Sequence, residues 1–269
     1  MINKVFNLRE EINGFTPTLT TYILDDIGRG VTTRPALIVC PGGGYWGCSK
    51  IEGEPIAMRF IAAGFHAFVI RYSVTEVNPD AKYPMALEEL SKAVEIVREH
   101  AEEWNIDKDK IAVCGFSAGS HLACSLGCFW NQEPIKTENG QNKPNAMILS
   151  YPVITSGEKA HRGSFDNLCR DDEELVKKMS LETQVTKDTP KTFLWHTFTD
   201  GAVPVENSLL FASALREQDI PFELHIYPKG PHGLALVNED TGWNPDVEVS
   251  VNTKDWINLA CNRLWEVFE

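Results

Sequence analysis

The sequence predicts an α/β protein with a mostly parallel, doubly wound central sheet and helices on both faces, and three observations carry this. Short apolar runs rich in β-formers recur along the chain, as expected of strands covered on both faces. Amphipathic helical patterns separate them, and the alternation βαβα requires the crossovers that parallel neighbours need. A chain of 269 residues is also long enough to bury one sizeable core, so one domain over residues 1–269 is expected.

Taken in order, the first long strand is placed near Thr18, followed by "ALIVC" (36–40) and "HAFVI" (66–70). In "YPMALEELSKAVEIVREHAEEW", Leu87, Leu90, Val94, Val97, Ala101 and Trp104 recur every three or four residues while Glu and Lys take the other face, which reads as a helix. "KIAVCGF" (110–116) is the next strand, and "SHLACSLG" after it can be helical. "AMILSY" (146–151), "TFLWHT" (192–197) and "FELHIY" (222–227) are strands by the same criterion, with helices over "VENSLLFASALREQ" and the closing "VSVNTKDWINLACNRLWEVF". Two connections break the rhythm. The segment 129–145 is polar and rich in Pro and Asn, hence a surface loop. The excursion 152–190 contains "CRDDEELVKKMS", a short helix with an acidic first turn, and its length suits a cap or lid.

Composition excludes several classes. Hydrophobic residues make up 43% and charged residues 23%, so neither a disordered nor a membrane protein is suggested. The longest apolar runs, such as Phe65 to Ile70, are too short to span a bilayer. A formal charge of −13 repels phosphate backbones, and no Lys/Arg cluster interrupts it, so no nucleic-acid partner is expected. The start "MINKVFNLREE" lacks the apolar centre of a signal peptide, and an intracellular, cytoplasmic location is expected. The 7 cysteines are scattered through predicted strands and helices, as reduced apolar residues rather than a disulfide framework. Cys124 and Cys128 could face one metal from a helix, but no second close pair joins them, so no metal or other cofactor is expected.

The stretch "AVCGFSAGSHLA" (112–123) fits G-x-S-x-G between a strand and a helix, the context a nucleophile elbow demands. Glycines two residues either side of Ser117 let strand and helix approach without a Cβ clash, and the strained serine points its Oγ outward. An ordinary tight turn is the alternative. A serine hydroxyl needs a base, and the base an acid to orient it, in the chain order serine, acid, histidine. Asp200, in "LWHTFTDGAVPVENS", and His232, in "YPKGPHGLAL", each follow a predicted strand, at the carboxyl edge where such sheets build their sites. A turn aspartate and a solvent-facing loop histidine are the respective alternatives. His66 and His225 fall inside strands, His100 in a helix and His196 before a strand end. His121 would point down the helix away from Ser117, and Glu206 falls inside a helix start. In "CPGGGYWG" three glycines imply close backbone approach; Gly43 and Gly44, with the amide of Ala118, are the candidate oxyanion donors. Tyr45 and Trp46 either wall an acyl pocket, stack on a sugar, or pack in the core.

With these residues assembled, the chain resembles the α/β-hydrolase superfamily, and more narrowly the small bacterial esterases related to acetylxylan esterases and the esterase/lipase group. The resemblance rests on "CPGGGYWGCSKIEGEPIAMRFIAAGFHAFVIRYSV", "IAVCGFSAGSHLA", "TFLWHTFTDGAVPVENS" and "YPKGPHGLAL", in that order. It implies an α/β-hydrolase fold, Ser117 as nucleophile, Asp200 as acid and His232 as base, and small-molecule or oligosaccharide substrates with short acyl, notably acetyl, esters. Proline stands where the HGGG-type segment of lipases has histidine, which departs from the lipase and hormone-sensitive-lipase pattern. With about 17 residues before Thr18, an open site is expected, roofed at most by 152–190. An amidase of the formamidase type stays open. A prolyl-oligopeptidase-like peptidase would need room for a propeller, and a non-catalytic binding module would not need an intact Ser, Asp and His set.

Overall fold

The computed structural model describes residues 1–26, 30, 33–242 and 244–269. Eight strands form one sheet: β1 (Val5–Asn7), β2 (Thr18–Tyr22), β3 (Arg34–Cys40), β4 (His66–Arg71), β5 (Ile106–Phe116), β6 (Ala146–Ser150), β7 (Lys191–Thr197) and β8 (Phe222–Tyr227). Their spatial order is β1-β2-β4-β3-β5-β6-β7-β8. From β4 to β8 all neighbours are parallel, while β1 and β2 form an antiparallel edge. The doubly wound prediction holds, and the antiparallel ribbon is an addition to it.

Alternation along each strand explains the double cover. Ala36, Ile38, Val113, Met147 and Leu194 pack into one buried cluster with α2 (Met85–Glu99), α3 (Ala118–Phe129) and α6 (Glu206–Glu217). Their strand neighbours Leu37, Val39, Ala112, Ile148 and Trp195 pack into a second cluster with α1 (Glu54–Ala62) and α7 (Trp256–Phe268). Successive side chains point to opposite faces, so a strand apolar at every position demands helices on both sides. Each fully buried aliphatic or aromatic side chain contributes about 1.5–3 kcal/mol, which makes these two layers the main stabilising element.

The excursion 152–190 folds as α4 (Arg162–Cys169), α5 (Glu173–Lys178) and a 3-10 turn at Leu181–Thr183. Helix α5 is the one anticipated; Asp172 caps it by accepting from the Leu175 amide at 2.9 Å. Helix α4 has no strong sequence signal, yet its Phe165, Leu168 and Cys169 are buried against the core. Cys124 and Cys128 both lie buried on α3. No helix among the described residues is long and apolar enough to cross a membrane.

Chain order decides where a site can form. The chain passes from β3 outward to β4, then returns to place β5 on the other side of β3, so connections diverge at the β3–β5 boundary. Beyond the carboxyl ends of two such strands lies the crevice in which open α/β sheets bind ligands. Here the residues at that point are the glycine run after Cys40 and Ser117 after Phe116.

Candidate active site

Ser117 stands between β5 and α3 with φ 53° and ψ −118°, a conformation that costs of order 1–3 kcal/mol and persists only where the surroundings impose it. Its neighbours do so. A Cβ on Gly115 would lie 2.3 Å from the Gly119 carbonyl oxygen, and one on Gly119 would lie 2.1 Å from that of Cys40. The Ser117 amide donates to Ser150 O at 3.0 Å, which ties the turn to β6.

Asp200 follows β7 and His232 follows β8, and the fold brings both to Ser117. His232 Nδ1 lies 2.6 Å from Asp200 Oδ2, and His232 Nε2 lies 2.8 Å from Ser117 Oγ. An ionised carboxylate only accepts, so Nδ1 carries the proton and Nε2 is left to accept from the serine hydroxyl. Asp200 Oδ1 accepts from the amides of Ala202 and Val203, each at 2.9 Å. His196, buried in β7, places Nε2 3.3 Å from Asp200 Oδ2 while donating to Val203 O at 3.0 Å. Burial alone would push the Asp200 carboxyl up, but hydrogen bonds from His196 and His232 hold it well below the usual carboxylate range. His196 thus helps hold Asp200, a contact its place before a strand end did not reveal.

The glycine run turns back across the front of Ser117. Gly43, Gly44 and Tyr45 have φ of 131°, 64° and 57°, and a Cβ on Gly43 would meet Gly47 O at 2.2 Å. The Gly42 amide is occupied, donating to Glu52 Oε2 at 2.9 Å. Among the described residues, the amides of Gly43, Gly44 and Ala118 donate to no protein acceptor. Asn167 of α4 donates to Gly44 O at 2.9 Å and so steadies the turn from the excursion side.

Tyr45 corrects one of the two aromatic readings. It is 3% exposed, packs with Tyr72, and donates from its hydroxyl to His121 Nδ1 at 2.8 Å, so it is a core residue rather than a wall of the cleft. Trp46, one residue on, is 58% exposed and lines the cleft, because backbone reversal sends adjacent side chains to opposite sides of the loop. His121 donates from Nε2 to Met179 O at 3.0 Å, and burial lowers its pKa to about 4; it faces away from Ser117, as its helical spacing implied.

The cleft measures about 490 Å³ and is lined by Gly43, Gly44, Trp46, Ser117, His161 and His232, with Glu52 and Asn167 among its further walls. A cavity of about 530 Å³ beside it shares Ser49 but contains none of Ser117, Asp200 or His232. Two wall residues carried no local sequence signal. His161 accompanies α4 and is held by Ser164 Oγ at 2.9 Å; burial, then the nearby His232, lowers its pKa. It lies in the excursion whose length had marked it for function. Glu52, 3% exposed in a 3-10 turn, sits in a stretch without periodicity, so nothing local announced its burial.

The BD-FAE family model matches residues 28–215. The chain is 42% identical over 243 residues, 86% of its length, to endo-1,4-beta-xylanase B of Butyrivibrio fibrisolvens, covering 37% of that protein. It is 30% identical over 209 residues, 75% of its length, to an acetylxylan esterase of Xylanibacter ruminicola, covering 41% of it. The chain therefore spans about two fifths of the length of these relatives. Among solved structures, the acetyl ester-xyloside bifunctional hydrolase of Caldicellulosiruptor lactoaceticus superposes with a TM-score of 0.85 at 36% identity, covering 98% of this chain and 96% of that one.

Proposed function

The chain belongs to the BD-FAE family, within the α/β-hydrolase superfamily, and from that premise we propose that it is a serine carboxylesterase of short acyl esters, acetyl esters of xylo-oligosaccharides foremost. The observation that carries this reading is the continuous hydrogen-bonded chain from Asp200 through His232 to Ser117, set beside unoccupied amides. In this reading His232 Nε2 takes the Ser117 proton as Oγ attacks the ester carbonyl. The oxyanion is received by the Ala118 amide and those of Gly43 and Gly44, at the N-terminus of α3 where the helix dipole adds positive potential. Imidazolium then protonates the departing alcohol, and water repeats the cycle on the acyl-enzyme. No step calls for a cofactor.

The names of the relatives, an acetylxylan esterase and an acetyl ester-xyloside hydrolase, support an acetylated sugar as substrate. The exposed indole of Trp46 offers a stacking face for its ring. The excursion 152–190 serves as a wall: Phe165, Leu168, Met179 and Leu181 bury it against the core, while His161, Gly163 and Asn167 face the cleft, leaving room for a bulky alcohol.

The test is turnover of p-nitrophenyl esters from acetate to octanoate, of acetylated xylo-oligosaccharides, and of a matched anilide. Ser117→Ala is expected to lower kcat/KM on the acetate by at least about 10⁴-fold and to abolish labelling by a fluorophosphonate probe. Retained turnover or labelling would remove Ser117 from the reaction, and anilide turnover matching the ester would turn the reading towards an amidase.

A further inference from the structure

Glu52 is an almost fully buried carboxylate at the edge of the cleft, with no Lys or Arg within ion-pair distance among the described residues, a placement that burial alone makes unfavourable. What it touches is specific. Oε2 accepts from the Gly42 amide at 2.9 Å, in the run that carries the two candidate oxyanion glycines. Oε1 accepts from the Tyr151 hydroxyl at 2.6 Å, and that hydroxyl accepts from the Ala235 amide at 3.0 Å, three residues after His232. The Tyr151 ring packs edge-on against the His232 ring, centroids 5.0 Å apart, and the Ala235 carbonyl is held in turn by Trp256 Nε1 at 2.8 Å.

We propose that Glu52, acting through Gly42 and Tyr151, is a positioning residue that holds the glycine loop and the His232 loop in register, and that its charge favours the His232 imidazolium formed in turnover. This rests on the serine-esterase reading above. The Gly42 amide donates to one oxygen and the Tyr151 hydroxyl to the other, partners that favour the charged form against burial. Burial raises the Glu52 pKa on balance, against the hydrogen bonds from Tyr151, Gly42 and Ser49 and the nearby His232, which lower it. The groups facing His232 are Asp200, Ser117, Tyr151, His161 and Glu52. Those facing Glu52 besides His232 are Ser49, Tyr72, Tyr151 and Cys114. Burial holds both tyrosines and the cysteine neutral through the working range. The His232 loop and the glycine loop are thus joined by geometry that a misplacement of about 1 Å would degrade by roughly 10²-fold.

The experiment compares wild type, Glu52→Gln, Tyr151→Phe and Ser117→Ala on p-nitrophenyl acetate from pH 5 to 9, with far-UV circular dichroism as the check on folding. Glu52→Gln is expected to lower kcat about 10- to 100-fold with KM within about 2-fold of wild type. It should also move the acidic limb of kcat/KM to lower pH, because a negative charge that favours imidazolium is gone. Tyr151→Phe, which keeps the ring but cuts both ties, should lower kcat at least about 10-fold. A Glu52→Gln limb superimposed on wild type overturns the proposal. If Glu52→Gln does not fold, unchanged kcat in Tyr151→Phe overturns it instead. These failures, with Ser117→Ala inactive and wild type labelled by fluorophosphonate, leave the esterase reading standing; wild type left unlabelled brings down both.

Discussion

A carboxyl side chain with no exposed surface is ordinarily driven towards its neutral form, yet Asp200 is held well below the usual carboxylate range. Two histidines and two amides reverse the effect of burial, and the result is a permanent acceptor that fixes the His232 tautomer. Asp200→Asn keeps the shape but offers Nδ1 a donor in place of an acceptor in one amide orientation, so a kcat lower by about 10³–10⁴ on a short ester is expected. The same variant reports on linkage. A depressed carboxyl contributes stability above its unfolded value and loses it as pH falls through the lower folded value. The gap in Tm between wild type and Asp200→Asn should therefore be constant near neutrality and narrow below about pH 4. At this scale the sequence was informative about Ser117, Asp200 and His232, whose flanking glycines and strand ends are local features. It was uninformative about Tyr45 and Trp46, since two adjacent aromatics are sent to core and cleft by a turn of positive φ that composition does not encode.

Among the elements, the junction of β5 and α3 is the most constrained. Gly119 meets the Cys40 and Pro41 carbonyl oxygens, which belong to β3 and the loop after it, so strand, helix and neighbouring strand touch backbone to backbone there. Gly119→Ala has no room for its methyl group without moving one of them, and a loss of several kcal/mol or of soluble protein is expected, measured by urea unfolding. Gly201→Ala is the control, because nothing lies within 4 Å of the Cβ it would add. The six apolar strands were legible because burial on both faces leaves an unbroken apolar run, and α2 and α6 because one-sided burial leaves a 3.6-residue period. Helix α4 and strand β1 were not, and of the β1–β2 ribbon only the strand near Thr18 was read. Both are short, and their residues are held by contacts with distant segments rather than by their own pattern.

Across the molecule, two buried histidines tie stability to pH. Burial lowers both His66 and His121 from 6.5 to about 4. Their unfolded counterparts bind protons as pH falls through 6.5 while the folded ones do not, so stability is full above that value and lost towards 4. Urea unfolding between these limits should show a slope approaching roughly 2.7 kcal/mol per pH unit, two protons' worth. A flat profile from pH 7 to 4.5 would mean the two imidazoles are not held neutral.

The sequence by itself determined the class of sheet, the double helical cover and the candidate serine, acid and histidine, because strand burial, helical amphipathicity and turn chemistry act over a few residues each. Tertiary structure alone decided that these three side chains meet within hydrogen-bond distance, that His161 and Trp46 face one cleft, and that a buried Glu52 joins two loops through Tyr151. Those facts depend on chain segments up to 115 residues apart being brought to one sheet edge, and no local pattern carries the packing that brings them there.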